Sequence, residues 1–389
     1  MATRQFIADH LHDDVHELAL KYSNAKVDMA LALRQIEARQ LLQKKAPSWS
    51  DNEDLLFPQH LSIEQCSSQA TAQYKASLLH GDSFADLTGG LGVDCHCIAQ
   101  HFKQTDYVES NPELCTLAKH NFKVLGTEIT VHHTTAEDYL NHCNTFDAVY
   151  LDPARRDFYG RKTVSIADCT PNVAELQGLL LQKAQKVMVK LSPMLDTNKA
   201  LQDLRHVSEV HVVAVANECK ELLFILEQGF EGMPVFTCVN LQSGQPEVRF
   251  TQEEERMSAV SLADKVSRYL YEPNASLMKG GCYKMLTQRY NIQKLHPSSH
   301  LYTSDQLVSD FPGRVFIVEG WAPFNKKIKQ TLLADVEKAS IATRNFPLRV
   351  DALRKSLKIA DGDEIYLFAT TMAGERKVII SSRKWVPSV

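Results

Sequence analysis

Nine consecutive residues, Asp86-Leu87-Thr88-Gly89-Gly90-Leu91-Gly92-Val93-Asp94, combine the types needed to hold a nucleoside. Glycines let the backbone turn sharply and approach a ligand where a side chain would collide. The run follows a short apolar segment that reads as a strand and opens one that reads as a helix, the context such a fingerprint requires. Asp86 begins the turn, and an acidic residue there suits a cationic ligand end better than a pyrophosphate. Glu109 stands 17 residues after Gly92, at the close of the next expected strand. A carboxylate at that place can accept hydrogen bonds from both hydroxyls of a ribose. No Gly-Lys-Ser/Thr follows the run, which excludes a P-loop.

A second group is Asp152-Pro153-Ala154-Arg155-Arg156-Asp157, at the end of an expected strand. Pro153 stiffens the turn. Asp152 could accept a hydrogen bond from an N–H nucleophile and leave more electron density on that nitrogen. Arg155 and Arg156 could grip phosphate or carboxylate. Equally, the segment could be a rigid turn with its arginines paired to Asp157 and Asp168. No aromatic residue directly follows the proline to stack a flipped base, although Phe158 and Tyr159 are near. Lys190-Leu191-Ser192-Pro193 ends a further strand and could shape the substrate side of the site or serve as a plain turn. Glu64, Gln65, Ser67, Ser68, Thr71, Tyr74 and Lys75 lie on a helical stretch before the first strand, as a cofactor cover or as a solvated face.

Metal and covalent chemistry find no support. The nine cysteines form no CxxC pair, and no HExxH occurs among the fifteen histidines. Cys95 and Cys97 read as small residues on the helix after the glycines, and His132 and His133, at the end of an expected strand, as structural residues and not ligands. Cys169 is too isolated to be a nucleophile.

The elements that must position these residues follow from periodicity. Residues 6–45 and Ser62–Leu79 carry apolar residues at helical spacing, with Ser62 and Gln65 as a capping box. Strands are expected at Ser83–Leu87, Asp106–Ser110, Glu128–His133, Phe146–Asp152 and Lys186–Leu191, alternating with helices. That alternation gives a doubly wound parallel sheet. Val207–Val215 and Glu221–Glu227 then read as a closing antiparallel hairpin. Pro246–Ser258 reads as a linker or edge strand with a charged helix, and Tyr271–Asp305 as a small α+β unit. Glu364–Thr370 and Lys377–Arg383 read as a hairpin turning near Gly374.

The 389 residues suffice for several domains, and 44% hydrophobic with 23% charged residues is ordinary for a globular protein. No apolar run is long enough to span a bilayer, and the first residues contain no secretory h-region, so a cytoplasmic, non-membrane protein is expected. Net charge is −4, yet Trp321–Val389 carries 13 Lys and Arg against 7 Asp and Glu. A basic end on an acidic body suggests an anionic partner, or simply a solvated surface.

The run from Asp86 resembles the first motif of class I S-adenosylmethionine (SAM)-dependent methyltransferases, acidic-x-G-x-G-x-G, with Thr88 in place of the first glycine. Asp152-Pro153-Ala154-Arg155 resembles, without fully matching, the tetrapeptides of enzymes that methylate exocyclic nitrogens. The resemblance implies S-adenosylmethionine as cofactor, bound by Asp86, Thr88, Gly89, Gly90, Gly92, Asp94, Glu109, Ser110, Asn111, Asp138 and Asp152. It places Asp138 beside the adenine, although a helix N-terminal charge would also explain that residue. It makes Asp152, Pro153 and Arg155 catalytic, gives Arg155, Arg156 and Lys190 to the substrate, and implies no metal. Residues 61–76, 85–94, 150–157, 217–223, 269–281 and 345–371 further resemble a bacterial methyltransferase family with a small ferredoxin-like domain and a THUMP-like C-terminal domain. The expected architecture is α/β: an N-terminal helical domain (1–80), a Rossmann-like core with a mostly parallel seven-stranded sheet (81–250), a ferredoxin-like α+β domain (251–315) and a THUMP-like domain (316–389). Its expected activity is methylation of a base nitrogen in RNA, rRNA and tRNA not being distinguished. The alternatives are a methyltransferase for a protein or small molecule and a non-catalytic SAM-binding protein.

Overall fold

The structure is a computed structural model that describes residues 2–22, 26–58, 60–155 and 166–386. It divides into two units, 1–210 with 221–232, and 211–220 with 233–389.

Unit 1 opens with helices at Ala2–Asp9, Val15–Lys21 and Met29–Leu42. The third buries Ala32, Ile36, Arg39 and Leu42, one stripe at helical spacing. Buried Arg39 is tolerated because its guanidinium donates to the carbonyls of Ser50, Asn52, Glu53 and Leu55, pinning the loop that follows. The single helix expected over Ser62–Leu79 is two, His60–Gln65 and Gln69–Leu78. Ser68 breaks the run by capping the second: its hydroxyl accepts the Thr71 N–H. The Ser62 side chain lies outside the described residues.

The sheet of unit 1 is built from β1 (Ser83–Asp86), β2 (Gln104–Glu109), β3 (Thr130–His133), β4 (Phe146–Leu151), β5 (Ala184–Leu191), β6 (Val207–Val215) and β7 (Glu218–Glu227). Their spatial order is β6-β7-β5-β4-β1-β2-β3. β1 pairs in parallel with β2 and β4, β2 with β3, and β4 with β5, while β7 is antiparallel to β5. The doubly wound α/β expectation therefore holds. β4 is buried on both faces, as its continuous apolar run requires. β6 turns into β7 at Ala216 and Asn217, both at positive φ (49° and 67°), the geometry of a two-residue hairpin. This hairpin outreaches β5, and its tip belongs to unit 2, where β8 (Val235–Leu241) and β9 (Val248–Thr251) extend the ladder. The strand count is therefore nine in place of the seven expected.

Unit 2 also holds a separate sheet of β10 (Tyr269–Pro273), β11 (Gln293–Lys294), β12 (Tyr302–Ser304), β13 (Gly313–Pro323), β14 (Ser340–Arg344), β15 (Tyr366–Met372) and β16 (Arg376–Lys384). The order is β11-β12-β10-β13-β16-β15-β14, with β15 and β16 antiparallel around Gly374 at φ 72°. One face buries Leu270, Phe316, Phe368 and Ile380, and the other Leu333, Leu353, Leu367 and Ile379, consistent with period-2 alternation. Among the described residues no helix is long and apolar enough to cross a membrane.

Candidate functional site

In an open parallel sheet, ligands bind outside the carboxyl ends of the strands, where the order reverses. In unit 1 those ends present Asp86 (β1), Glu109 (β2), Asp152 (after β4) and Lys190 (β5), with Glu221 of antiparallel β7 beside the end of β5. Residues far apart in the sequence meet there because parallel strands bring all their C-termini to one edge.

The loop after β1 is fixed from both sides. Gly89 N–H donates to the Val108 carbonyl at 2.9 Å and Gly90 N–H to Glu109 Oε2 at 2.9 Å. The Tyr107 hydroxyl donates to the Gly90 carbonyl at 2.6 Å. A Cβ on Gly89 would stand 2.1 Å from the Tyr107 ring, and one on Gly92 (φ 89°) 2.8 Å from Phe122. Those two glycines therefore serve packing inside the protein. A Cβ on Gly90 would meet only the Thr88 carbonyl, at 3.7 Å, so bare backbone faces open space at the turn itself.

Asp86 is buried, and one of its oxygens accepts the Thr88 N–H at 3.0 Å. Burial pushes its carboxyl well above the usual range, only partly offset by that hydrogen bond, and nearby Asp94, Asp152 and Glu109 push the same way. An edge that already gathers carboxylates favours a ligand carrying positive charge and hydroxyl donors and disfavours one carrying phosphates. The donor set and the open backbone at Gly90 fit the amino-acid end and ribose of S-adenosylmethionine. Glu109 accepts the Gly90 N–H on Oε2 and the Asn111 N–H on Oε1, with the Ser110 hydroxyl at 3.3 Å. Asn111 also caps the helix Pro112–Val124.

The Thr88 hydroxyl accepts the Asp152 N–H at 2.6 Å, tying the loop after β1 to the end of β4. Asp152 Oδ2 accepts from Lys190 Nζ at 2.5 Å, and the Asp152 side chain is 35% exposed. Burial lowers the Lys190 affinity for its proton, but Asp152, Glu221 and Asp94 outweigh it and raise its pKa. Pro153 is buried at the turn. The Arg155 side chain and residues 156–165, hence Arg156 and the pairing to Asp157, lie outside the described residues.

Beneath this edge lies a buried polar cluster that the sequence pointed to only in part. Lys75, fully buried on the helix Gln69–Leu78, donates to both oxygens of Glu221 at 2.9 and 2.8 Å and to the Ser67 hydroxyl at 3.1 Å. Asp94 accepts from the hydroxyls of Ser67 (2.7 Å) and Tyr150 (2.8 Å) on Oδ2. Its Oδ1 stands 3.2 Å from Lys75 Nζ, an ionic approach without hydrogen-bond alignment. Burial pushes the Asp94 carboxyl up, yet Lys75, Lys190, Ser67 and Tyr150 together hold it below the usual range. Glu221 ends up raised, burial outweighing Lys75 and Lys190. Lys75 is thus a buried strut and not part of a solvated face. Asp94, expected to touch the cofactor, joins this cluster through Oδ2, while its Oδ1 accepts no hydrogen bond among the described residues. Tyr150 and Glu221 had no assigned role, and Ser67 was read only as cofactor cover or solvated face, although Lys75 among buried Thr71, Ala72 and Ala76, and Glu221 beside an apolar run, both signal a charge that needs a buried partner.

Asp138 sits in the first turn of the helix Ala136–His142 and lines a groove of about 490 Å³ with Ser83, Gln104, Asp106 and Tyr139. Ser83 and Gln104 begin β1 and β2, and no glycine-loop residue lines the groove. Cys95 and Cys97 lie on the helix Val93–Ala99 as expected, burial pushing the Cys97 thiol up to about 11. Among the described residues no cluster of three or more His, Cys, Asp or Glu could hold a metal ion.

Comparison with known proteins places these features. A ferredoxin-like domain family matches residues 269–312, and a THUMP domain-like family matches 313–383. A crystal structure from Porphyromonas gingivalis W83, described as a candidate methyltransferase, is 36% identical and superposes with a TM-score of 0.87 over 99% of this chain and 98% of that one. An rRNA methylase from Streptococcus thermophilus is 13% identical with a TM-score of 0.30, over 41% of this chain and 93% of that one. A Streptococcus mutans protein in complex with SAH is 10% identical with a TM-score of 0.31, over 41% and 96%. No curated protein sequence matches the chain.

Proposed function

The chain belongs to the same family as the Porphyromonas gingivalis protein, class I methyltransferases with a ferredoxin-like and a THUMP-like domain, and on that premise we propose that it transfers a methyl group from S-adenosylmethionine to a base nitrogen of RNA. The observation that carries this reading is the junction of Thr88, Asp152 and Lys190. It holds a partly exposed carboxylate at the end of β4, fastened to the glycine loop. Asp86, Glu109 and the backbone at Gly90 would hold the cofactor, which when bound supplies a methyl group already activated by its sulfonium. The protein's share of catalysis is then alignment and not activation. Asp152, with Lys190 on one oxygen, would accept a hydrogen bond from the acceptor N–H on the other and turn the nitrogen lone pair toward the methyl site. It would then take up the proton that the nitrogen loses on methylation, the thioether product leaving with the sulfur's electron pair. Arg155, Arg156 and Pro153 would frame the entering nucleotide. The excess of basic residues in Trp321–Val389 and the THUMP-like match support RNA as the substrate class.

Three measurements test this. Calorimetry should show S-adenosylmethionine binding, and no heat at millimolar ligand would sink cofactor use. Salt-titrated RNA binding should weaken steeply with ionic strength, and a flat response counts against RNA. Asp152→Asn should lower turnover by roughly 10²-fold while leaving cofactor affinity nearly unchanged. Mass spectrometry of nucleosides from a strain lacking the gene would identify the base.

A further inference from the structure

Unit 2 contains a cleft of about 500 Å³ that none of the chemistry above uses. Glu272 on β10 lies buried at its floor and opposes Arg314 of β13 in register. Nε and Nη2 of Arg314 both donate to Oε2 of Glu272, the first at 2.9 Å. Nε and Nη2 of Arg344, at the end of β14, donate to Oε1 at 3.0 and 2.6 Å. One carboxylate therefore holds two guanidinium groups side by side. A single arginine would suffice to neutralise Glu272, and the second brings two like charges together against their repulsion. Both arginine side chains stay partly exposed, at 34% and 39%. Lys279 lines the same cleft.

A second observation points to a ligand. His300, also in the lining, has a buried Nδ1 with no hydrogen-bond partner. Its backbone is left-handed at φ 50°, and its ring packs against Tyr283 with centroids 3.8 Å apart. Burial, with Lys294 adding to it, pushes the imidazole down to about 4, so it is neutral near pH 7. A buried polar atom is ordinarily satisfied, and this one belongs to a residue that lines the cleft. Pro273 and Met278 give the cleft an apolar wall.

We propose that this cleft binds a nucleotide phosphate, held by Arg314 and Arg344 on their shared Glu272, with sugar or base against Pro273 and Met278. Glu272 takes Nε and Nη2 of each guanidinium and the Thr343 carbonyl takes Nη1 of Arg344, so the remaining Nη hydrogens and the two positive charges are what a phosphate can use. The buried carboxylate fixes the guanidinium planes and removes the entropy cost of assembling them. The phosphate can come from a free mononucleotide or from a nucleotide within an RNA chain, and only the second source rests on the RNA reading.

The test measures binding of adenosine 5′-monophosphate, adenosine and a short single-stranded oligouridylate to the full chain. Arg344→Gln leaves Arg314 to satisfy Glu272. Lys279→Gln leaves both arginine pairs whole and so guards against loss of fold, which thermal melting checks. Each variant is expected to weaken binding of the phosphate-bearing probe about tenfold and to lower the log–log salt slope for the single-stranded RNA by about 0.7 per lost phosphate contact. Adenosine should not compete. Weakening of the monophosphate alone assigns a free nucleotide, and weakening of the oligouridylate assigns RNA. Wild-type affinity of both variants for both probes, or no binding of either probe to the wild type, overturns the proposal. If the wild type binds RNA and the variants match it, the RNA reading survives and the cleft assignment falls. If it binds the monophosphate and no RNA, the reverse holds.

Discussion

The Thr88 hydroxyl oxygen accepts the backbone N–H of Asp152 at 2.6 Å, joining two segments 64 residues apart. The first loop that would hold the cofactor and the strand end that would face the acceptor are thereby one mechanical piece. Thr88→Val keeps the shape and deletes the acceptor. It should cost ~1–3 kcal/mol by leaving the Asp152 N–H unpaired. Turnover should fall more than cofactor affinity, which single-turnover kinetics beside calorimetry would separate. Equal losses in both would mean that the bond serves folding only.

Lys75 is the only cation hydrogen-bonded to Glu221 among the described residues, and it also approaches Asp94. Lys75→Met strands two buried carboxylates and should lower stability by ~3–5 kcal/mol, read by urea unfolding. Lys75→Met combined with Glu221→Leu should recover part of that loss, because an apolar pair avoids the desolvation cost. A double variant less stable than the single one would refute the pairing as the source of the effect.

Gly89→Ala places a methyl 2.1 Å from the Tyr107 ring, which is fully buried and anchored through its hydroxyl to Gly90. Neither side can yield cheaply. The variant should lose ~1–3 kcal/mol and bind S-adenosylmethionine more weakly, since the loop must shift. Gly90→Ala meets no protein atom closer than 3.7 Å, although φ 55° disfavours it. It should therefore disturb packing less and ligand binding more.

His300 sets a pH dependence for unit 2. Its imidazole drops from the usual 6.5 to about 4 through burial first and Lys294 second. Between those values the unfolded chain holds the proton and the folded one does not, so stability rises with pH. The contribution is full above about 6.5 and is lost as pH falls toward about 4. His300→Gln should flatten that part of the stability profile in urea titrations. An unchanged slope would show that the imidazole is not buried neutral.

The parallel core, the closing hairpin and the turn at Gly374 were legible because each rests on local signals: apolar runs, glycine positions and strand–helix alternation. Asp86, the glycines and Glu109 were legible for the same reason, since the loop and the next strand end are near in sequence. The helix boundary at Ser68 was missed because its cap is a single hydroxyl inside a run that keeps helical spacing. Strand β8 was not assigned to the large sheet because pairing between strands distant in sequence carries no local signal, whereas β9 falls in the stretch read as a linker or edge strand.

The sequence by itself determined which residue types stand on the glycine loop and at the strand ends, since side-chain type and spacing on an element are local properties. Only the tertiary structure decided what those residues bond to. The resemblance gives Asp94 to the cofactor; the fold bonds its Oδ2 to the hydroxyls of Ser67 and Tyr150 and brings Lys75 close to its Oδ1. Glu272 reads as a strand residue, yet it gathers Arg314 and Arg344 from two other strands. The physical reason is common to both. A buried charge must find a partner, and in a sheet whose neighbours are distant in sequence, pairing across strands and not spacing along the chain selects that partner.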